Sequence, residues 1–354
     1  MRVIFFGSSD YCIPLLESLH THFTLVAIVT KPDRLVGRHH RPTPTAVKSI
    51  AKSHLIPVYT PSNKTQLVKL DQILRVLSAD VGIVADYGLI IPLKILEIPL
   101  FKTLNIHFSR LPQLRGASPV QYTILMGEAK AWITLFIMEA TMDTGPIVWQ
   151  RQVPIANSET TGSLYKKLFE IASKDLPDIL SQYASGKFKP ISQDDSQATY
   201  TKMLSRDDGY IPWEIIHVAM TGKRLTKQQL HSWPLTKLLP HQLTINNYQL
   251  TIINALRAFS PWPGVWTTIT MKQLNNESIA KRLKILQAHL ESVNNQDTSG
   301  VASTSGLPRG GEIRLQLDSV QLEGKKPVSW KQFIEGHTVP FPDVQSYSTP
   351  SVEL

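Results

Sequence analysis

The feature that most restricts how this chain can fold is a rhythm in its first half, where short, almost wholly apolar runs alternate with amphipathic ones. RVIFF (residues 2–6), TLVAIVT (24–30) and VGIVA (81–85) carry hardly a polar side chain. Strands written this way are covered on both faces, as in a parallel sheet flanked by helices. Between them, DYCIPLLESL, TPTAVKSIAKS and KTQLVKLDQILRVL read as helices, and IPVYT as a further strand. The alternation predicts an α/β fold with a doubly wound, mostly parallel, Rossmann-like sheet. Further on come a helix over SPVQYTILMG, strands over WITLFIM and PIVWQRQVPI, and a long amphipathic helix from about Ser163 to Tyr183.

One strand departs from the rule. TLNIHFS (103–109) alternates, with Leu104, Ile106 and Phe108 on one face and Thr103, Asn105, His107 and Ser109 on the other. An exposed edge strand, or a core histidine that has found a hydrogen-bond partner, accounts for an isolated N-x-H, because buried polar groups need partners rather than roles. Asp143 in EATMDTGPIV adds weight to a functional reading, because it sits in a Thr-Gly turn between apolar segments where packing has no use for a carboxylate. An amide, an imidazole and a carboxylate without a Ser or Cys nucleophile suit acyl transfer directly from donor to acceptor. Asn105 and a protonated His107 can hold a developing oxyanion, while Asp143 holds the imidazolium and takes the proton lost by an attacking amine. The carboxyl end of a strand is where open α/β sheets gather such groups.

Length and charge bound the rest. At 354 residues the chain is long enough for two domains. The polar stretch GKFKPISQDDSQATYTKMLSRDDG reads as a connection, giving a first domain over 1–188, a linker over 189–208, a second domain over 209–340 and a tail over 341–354. NYQLTIINAL, GVWTTIT, KRLKILQAH and EIRLQLDSV predict a smaller β domain, and VNNQDTSGVASTSGLPRGG a flexible loop within it. The net charge is +9, and residues 211–290 hold nine Lys or Arg against two acids, the pattern of a phosphate-rich partner. No run is long and apolar enough to span a membrane. The first strand begins at Arg2 without a targeting segment, so the expected location is cytoplasmic. The single Cys12 reads as a packing residue. GSSD after the first strand lacks the dinucleotide fingerprint, no phosphate-binding P-loop is present, and the adjacent His39 and His40 lack metal-ligand spacing.

The chain resembles a known family at NIH, at SRLPQLRGASP and at MDTG, and again at FFGSSDYCIPLLESL, VTKPDRLVGR, ADYGLIIP, AFSPWPGVW and EGKKPVSWKQF. These segments are similar to the folate-dependent formyltransferases, and the resemblance covers most of residues 1–340. It implies a formyl group carried by 10-formyltetrahydrofolate, no metal, no covalent enzyme intermediate and a monomer. The two last segments belong to the branch that acts on initiator methionyl-tRNA, whose second domain is an OB-like β-barrel; the purine-pathway members lack it. The resemblance gives Asn105, His107 and Asp143 the catalytic roles described above. It places the donor against Tyr87, Gly88, Leu89, Ile90 and Pro92, with Ser109, Leu111 and Pro112 beyond the histidine. In the long loop KPDRLVGRHHRPTP it points to Arg38, with Arg34 and Arg41, as the groups that meet the tRNA acceptor stem.

Four departures accompany the likeness. The family has Gly at Phe108, Leu at Arg110, Ala at Asp86, and Gly-Val at Trp132 and Ile133; the span from Trp213 to Arg257 is also longer than its counterpart. Phe108 is expected to point into the core, and Asp86 to place a new carboxylate beside the donor loop. Two rivals remain at this stage: a formyltransferase or hydrolase acting on a small molecule, and a tRNA-binding protein whose catalytic site has decayed.

Overall fold

A computed structural model describes residues 1–36, 41–222, 225–239, 248–272, 278–293 and 312–337. The chain divides into two compact units, Met1–Thr123 with Glu128–Met203, and Ile124–Gly127 with Leu204 onward.

The first unit opens with β1 (Arg2–Gly7), α1 (Ile13–His22) and β2 (Thr24–Val29), then a small hairpin of β3 (Arg34–Val36) and β4 (Arg41–Thr43). After α2 (Ala46–Ser53) come β5 (Val58–Tyr59), the short helices α3 (Lys64–Val68) and α4 (Asp71–Val76), β6 (Val81–Ala85) and α5 (Leu93–Leu96). β7 (Thr103–His107) is followed by a two-residue β8 (Arg115–Gly116), α6 (Pro119–Leu125), β9 (Lys130–Ile137), β10 (Ile147–Pro154) and α7 (Thr161–Ala184). A last two-residue strand, β11 (Tyr200–Thr201), pairs in parallel with β8.

The main sheet has the order β10-β9-β7-β6-β1-β2-β5. β1, β2, β5, β6 and β7 run parallel, and β9 and β10 are antiparallel additions at one side. Its apolar strands are buried as their composition demands: Val3 to Phe6 and Val81 to Ala85 lie in the core. The order reverses at β1, since β2 and β5 lie to one side of it and β6 and β7 to the other. Such a reversal is where sheets of this kind have a ligand crevice, outside the carboxyl ends of the strands.

β7 is an internal strand, held by β6 on one side and β9 on the other, so the edge-strand account of its polar face fails. Phe108 points away from that face, as strand alternation requires, and packs edge-on against Phe169 (4.7 Å between ring centroids) and Tyr165 (5.7 Å) of α7. α7 itself starts at a capping box, in which the Thr160 hydroxyl accepts from the Ser163 N–H and the Ser163 hydroxyl accepts from the Thr160 N–H.

In the second unit, α8 (Trp213–Thr221), α9 (Lys227–Ser232) and α10 (Tyr248–Ala258) precede β12 (Val265–Lys272), β13 (Ser278–Val293), β14 (Glu312–Leu322), β15 (Val328–Ser329) and α11 (Trp330–Gly336). The described part of the β domain is an antiparallel sheet, β12-β13-β14-β15, against which α8, α10 and α11 pack. Val265, Thr267, Ile269, Leu283, Ile285, Leu315 and Leu317 are buried, while Thr268 and Lys284 are exposed on the opposite face.

Two sequence expectations need correction. NYQLTIINAL is helical, not a strand: local alternation gave way to the longer period of Tyr248, Ile252 and Ala255, all buried on one side of α10. KTQLVKLDQILRVL is two short helices, interrupted at Lys69 and Leu70. The additional span between Trp213 and Arg257 is helical where it is described, with Trp233 fully buried beneath it. The serine- and glycine-rich loop expected over 293–311 lies outside the described residues beyond Val293, and so does the tail from 338 onward.

Candidate active site

Strand alternation carries Asn105 and His107 onto one face of β7, opposite Phe136 and Thr134 of β9. His107 is buried. Its Nε2 lies 3.0 Å from the Leu114 carbonyl, and because a carbonyl only accepts, the ring's first proton is on Nε2. Nδ1 is thereby turned toward Asp143, whose Oδ2 stands 3.8 Å away. That separation exceeds hydrogen-bond reach, so the carboxylate acts on the ring through its charge. The Asn105 side-chain amide is half-buried and makes no hydrogen bond among the described residues. It is free to donate to a third party.

Asp143 comes from a loop 36 positions further along, and two features fix it. Its Oδ2 accepts the Gly116 N–H at 2.7 Å, a charge-assisted bond. Its backbone has φ +55, a left-handed conformation that Asp tolerates better than most residues. Gly116 needs its own lack of a side chain, since its φ is +113 and a Cβ there would collide with the Thr201 carbonyl.

The two hydroxyls near the histidine are committed to backbone. Ser109 donates to the Gln113 carbonyl at 2.6 Å, and Thr134 donates to the Ser109 carbonyl at 2.6 Å. Gln150 of β10 then ties Thr134 (2.9 Å) to the Leu111 carbonyl (3.1 Å). Neither hydroxyl is placed as a nucleophile, and this network fixes the course of the chain after β7. Ser109 and Leu111 are buried and Pro112 is half-buried, so this stretch offers mainly backbone to a ligand.

The loop after β6 lies at the crevice. Asp86 is exposed with φ +47, and its carbonyl accepts from the Ser8 N–H of the loop after β1. Tyr87 turns inward: its ring sits in the core beside Phe6 (5.8 Å between centroids), and burial raises the phenol's pKa. Gly88 and Ile90 face outward, and Leu89 and Pro92 are half-buried. The Lys31 ammonium lies directly over Gly88, in the space a Cβ would take. Because β6 and β7 are neighbours in parallel register, with Val84 opposite Asn105, this loop and His107 end at the same side of the sheet.

Of the basic loop, Arg34 and Arg41 are exposed on the β3–β4 hairpin, and Arg38 lies outside the described residues with His39 and His40. No group of three or more His, Cys, Asp or Glu side chains suited to a metal occurs among the described residues.

Composition did not single out Arg115 or Gln193. Arg115 is almost fully buried (1 % exposed), and bonds Gln193, Asp195 (2.7 Å) and the Tyr200 hydroxyl (3.5 Å). Desolvation opposes its charge, but the bonds to Asp195 and Tyr200 outweigh that and raise its pKa. A charged residue inside SRLPQLRG, followed by Gly, was the available signal for Arg115; Gln193 had none.

The family described as formyl transferase matches residues 1–180, and the family described as formyl transferase, C-terminal domain, matches residues 246–338. The chain belongs to the formyl transferase family. A methionyl-tRNA formyltransferase of Roseiflexus castenholzii is 35 % identical over 334 residues, 93 % of this chain and 93 % of the relative. One from Chloroflexus aggregans is 34 % identical over 346 residues, 96 % and 98 % of the two chains. Among solved structures, a sugar 3N-formyl transferase crystallised with dTDP and 5-N-formyl-THF aligns over 92 % of this chain and 99 % of its own, with a TM-score of 0.54 at 16 % identity. That likeness extends the formyl transferase fold across both units, while the identity of the substrates has to come from the site and the closer relatives.

Proposed function

We propose that this chain moves the formyl group of 10-formyltetrahydrofolate to the α-amino group of initiator methionyl-tRNA. The observation that carries the reading is the pair on and beside β7: a buried imidazole whose Nδ1 faces a fixed, half-buried carboxylate, next to a free amide, with the nearby hydroxyls turned away to backbone. That set suits a direct transfer rather than a covalent enzyme intermediate. The named relatives, which match over nearly their whole lengths, supply the acceptor's class, and the sugar 3N-formyl transferase crystallised with 5-N-formyl-THF favours a formyl-tetrahydrofolate donor.

In this reading the amine attacks the formyl carbon, a C–N bond forms and the carbonyl electron pair moves to oxygen. The Asn105 amide and the His107 Nδ1–H of the protonated ring donate to that oxygen. Asp143 takes the proton shed by the amine. Collapse breaks the bond to the donor nitrogen, which leaves with a proton.

The donor is assigned to the crevice beside Gly88, Leu89, Ile90 and Pro92, with the backbone of Ser109, Leu111 and Pro112 as the far wall. Tyr87 anchors the Gly88 loop in the core beside Phe6, where its hydroxyl is buried without a partner among the described residues. Residues 1–188 would perform the chemistry, with Arg34, Arg38 and Arg41 meeting the acceptor stem, and residues 209–340 would hold the tRNA through their basic face. Asp86, exposed at the mouth, faces solvent more than the histidine. With this reading go a cytoplasmic location, where a translation substrate is used, and a monomeric enzyme.

The test is formyl transfer from 10-formyltetrahydrofolate to initiator methionyl-tRNA, beside elongator methionyl-tRNA, a small amino sugar and a control without acceptor. Preference for the initiator is expected. Transfer to the sugar alone, or release of tetrahydrofolate without any acceptor, would replace this reading with the small-molecule one.

A further inference from the structure

The stretch 189–201, whose composition reads as a connection, reaches back into the site. Thr199 accepts the Leu114 N–H on its hydroxyl (2.9 Å) and the Arg115 N–H on its carbonyl (2.9 Å), and β11 pairs with β8. Gln193 does more. Its Oε1 accepts from Arg115 Nε (3.1 Å) and from an Arg115 terminal nitrogen (2.8 Å), and its Nε2 donates to the carbonyls of Asp143 (2.9 Å) and Gly145 (2.7 Å).

All four hydrogen-bonding positions of the amide are therefore used. Its orientation is forced, because reversing it would set oxygen against two carbonyls and nitrogen against a guanidinium. Only a side-chain amide can do both halves: a carboxylate accepts but does not donate, and a cation donates but does not accept. Gly145 is itself packed so closely that a Cβ would run into the Ile137 carbonyl.

The consequence falls on Asp143. Gly116 binds the Asp143 carboxylate, Gln193 binds the Asp143 carbonyl, and Gln193 also binds Arg115, the residue before Gly116. The three contacts close a ring that joins the Asp143 loop to β8, and Leu114 of the same segment accepts from His107. We infer that Gln193 is a positioning residue of the active site, clamping the Asp143 loop to β8 so that its carboxylate stays fixed beside His107 Nδ1. This inference rests on the formyl-transfer reading for its kinetic consequence, though not for its geometry.

The experiment compares full-length wild type with Gln193→Met, which fills the space without hydrogen bonds, and Gln193→Glu, which keeps the Arg115 half and loses the donation to both carbonyls. Both variants are expected to lose about tenfold to a hundredfold in kcat, the scale of a small misplacement of catalytic groups, with KM for either substrate within about twofold. The NMR signal of the His107 imidazole is expected to move in both, and a residue serving only to hold a distant linker would leave it in place. Wild-type kcat and an unmoved His107 signal in Gln193→Glu would overturn the assignment, and this variant decides the matter alone if Gln193→Met does not fold. If the wild type transfers no formyl group, the functional reading fails by itself, and the His107 signal still reports whether Gln193 holds Asp143.

Discussion

The two sheets of this molecule use burial differently. In the first unit, β1, β6 and β7 are covered on both faces, and the polar residues of β7 sit inside that cover. In the second, β12 and β13 bury one face only, and the other carries Trp266 with Arg282 stacked 4.3 Å from its ring centroid, beside exposed Lys284. A buried imidazole beside a half-buried carboxylate gains from a lowered dielectric and needs fixed geometry. Exposed cations over an aromatic surface suit a large, hydrated polyanion whose contacts are many and individually weak. In the proposed function, chemistry would fall to the sheet that excludes water, and grip to the sheet that keeps a wet face.

The sharpest way to break this division is to alter the buried face. His107→Ala and Asp143→Ala are each expected to lower kcat by about two or more powers of ten while tRNA affinity stays near wild type, measured by single-turnover kinetics and filter binding. Equal losses in both quantities would mean that the two tasks are not separated.

Phe108→Ala comes next. Removing the ring that packs on Phe169 and Tyr165 is expected to cost about 3–5 kcal/mol of stability in denaturant unfolding, with turnover per folded molecule almost unchanged. A large loss of turnover in folded protein would show that the apolar face of β7 also tunes the site. Gly116→Ala strains a φ of +113 and displaces the N–H that holds Asp143, so about 1–3 kcal/mol and a reduced kcat are expected together.

The second sheet should respond more mildly. Arg282→Ala removes a half-buried cation–π contact worth about 0.5–2 kcal/mol, and is expected to raise KM for tRNA a few-fold with kcat unchanged. The smallest response concerns Cys12. Burial pushes its thiol up to about 12 from an ordinary 9.0, so almost no thiolate exists at pH 8 and a disulfide reagent should label the native protein only as fast as it opens. The sign follows: the unfolded thiol ionises first, so this group's contribution is intact below about pH 9 and is lost as pH climbs toward 12.

Reading the residues went furthest where a local period coincided with a single environment. The continuous apolar runs of β1, β2 and β6 matched doubly covered strands, and alternation in TLNIHFS put Asn105 with His107 and Phe108 opposite them. It misled in NYQLTIINAL, where a few alternating residues hid the helical spacing of Tyr248, Ile252 and Ala255. The left-handed backbone at Asp143 and Asp86 carries no glycine to advertise it.

What the chain determined by itself, then, was that the apolar runs of β1, β2 and β6 are strands, which face of β7 is polar, and which residue types the chemistry would need, since these follow from short-range pattern and side-chain chemistry. Tertiary structure alone decided that β7 is internal, that Nδ1 of His107 rather than Nε2 faces Asp143, and that Gln193, itself held by Arg115, binds that carboxylate's loop. Each of these depends on contacts between residues dozens of positions apart, whose hydrogen-bonding groups are matched only after the sheet has set their distances.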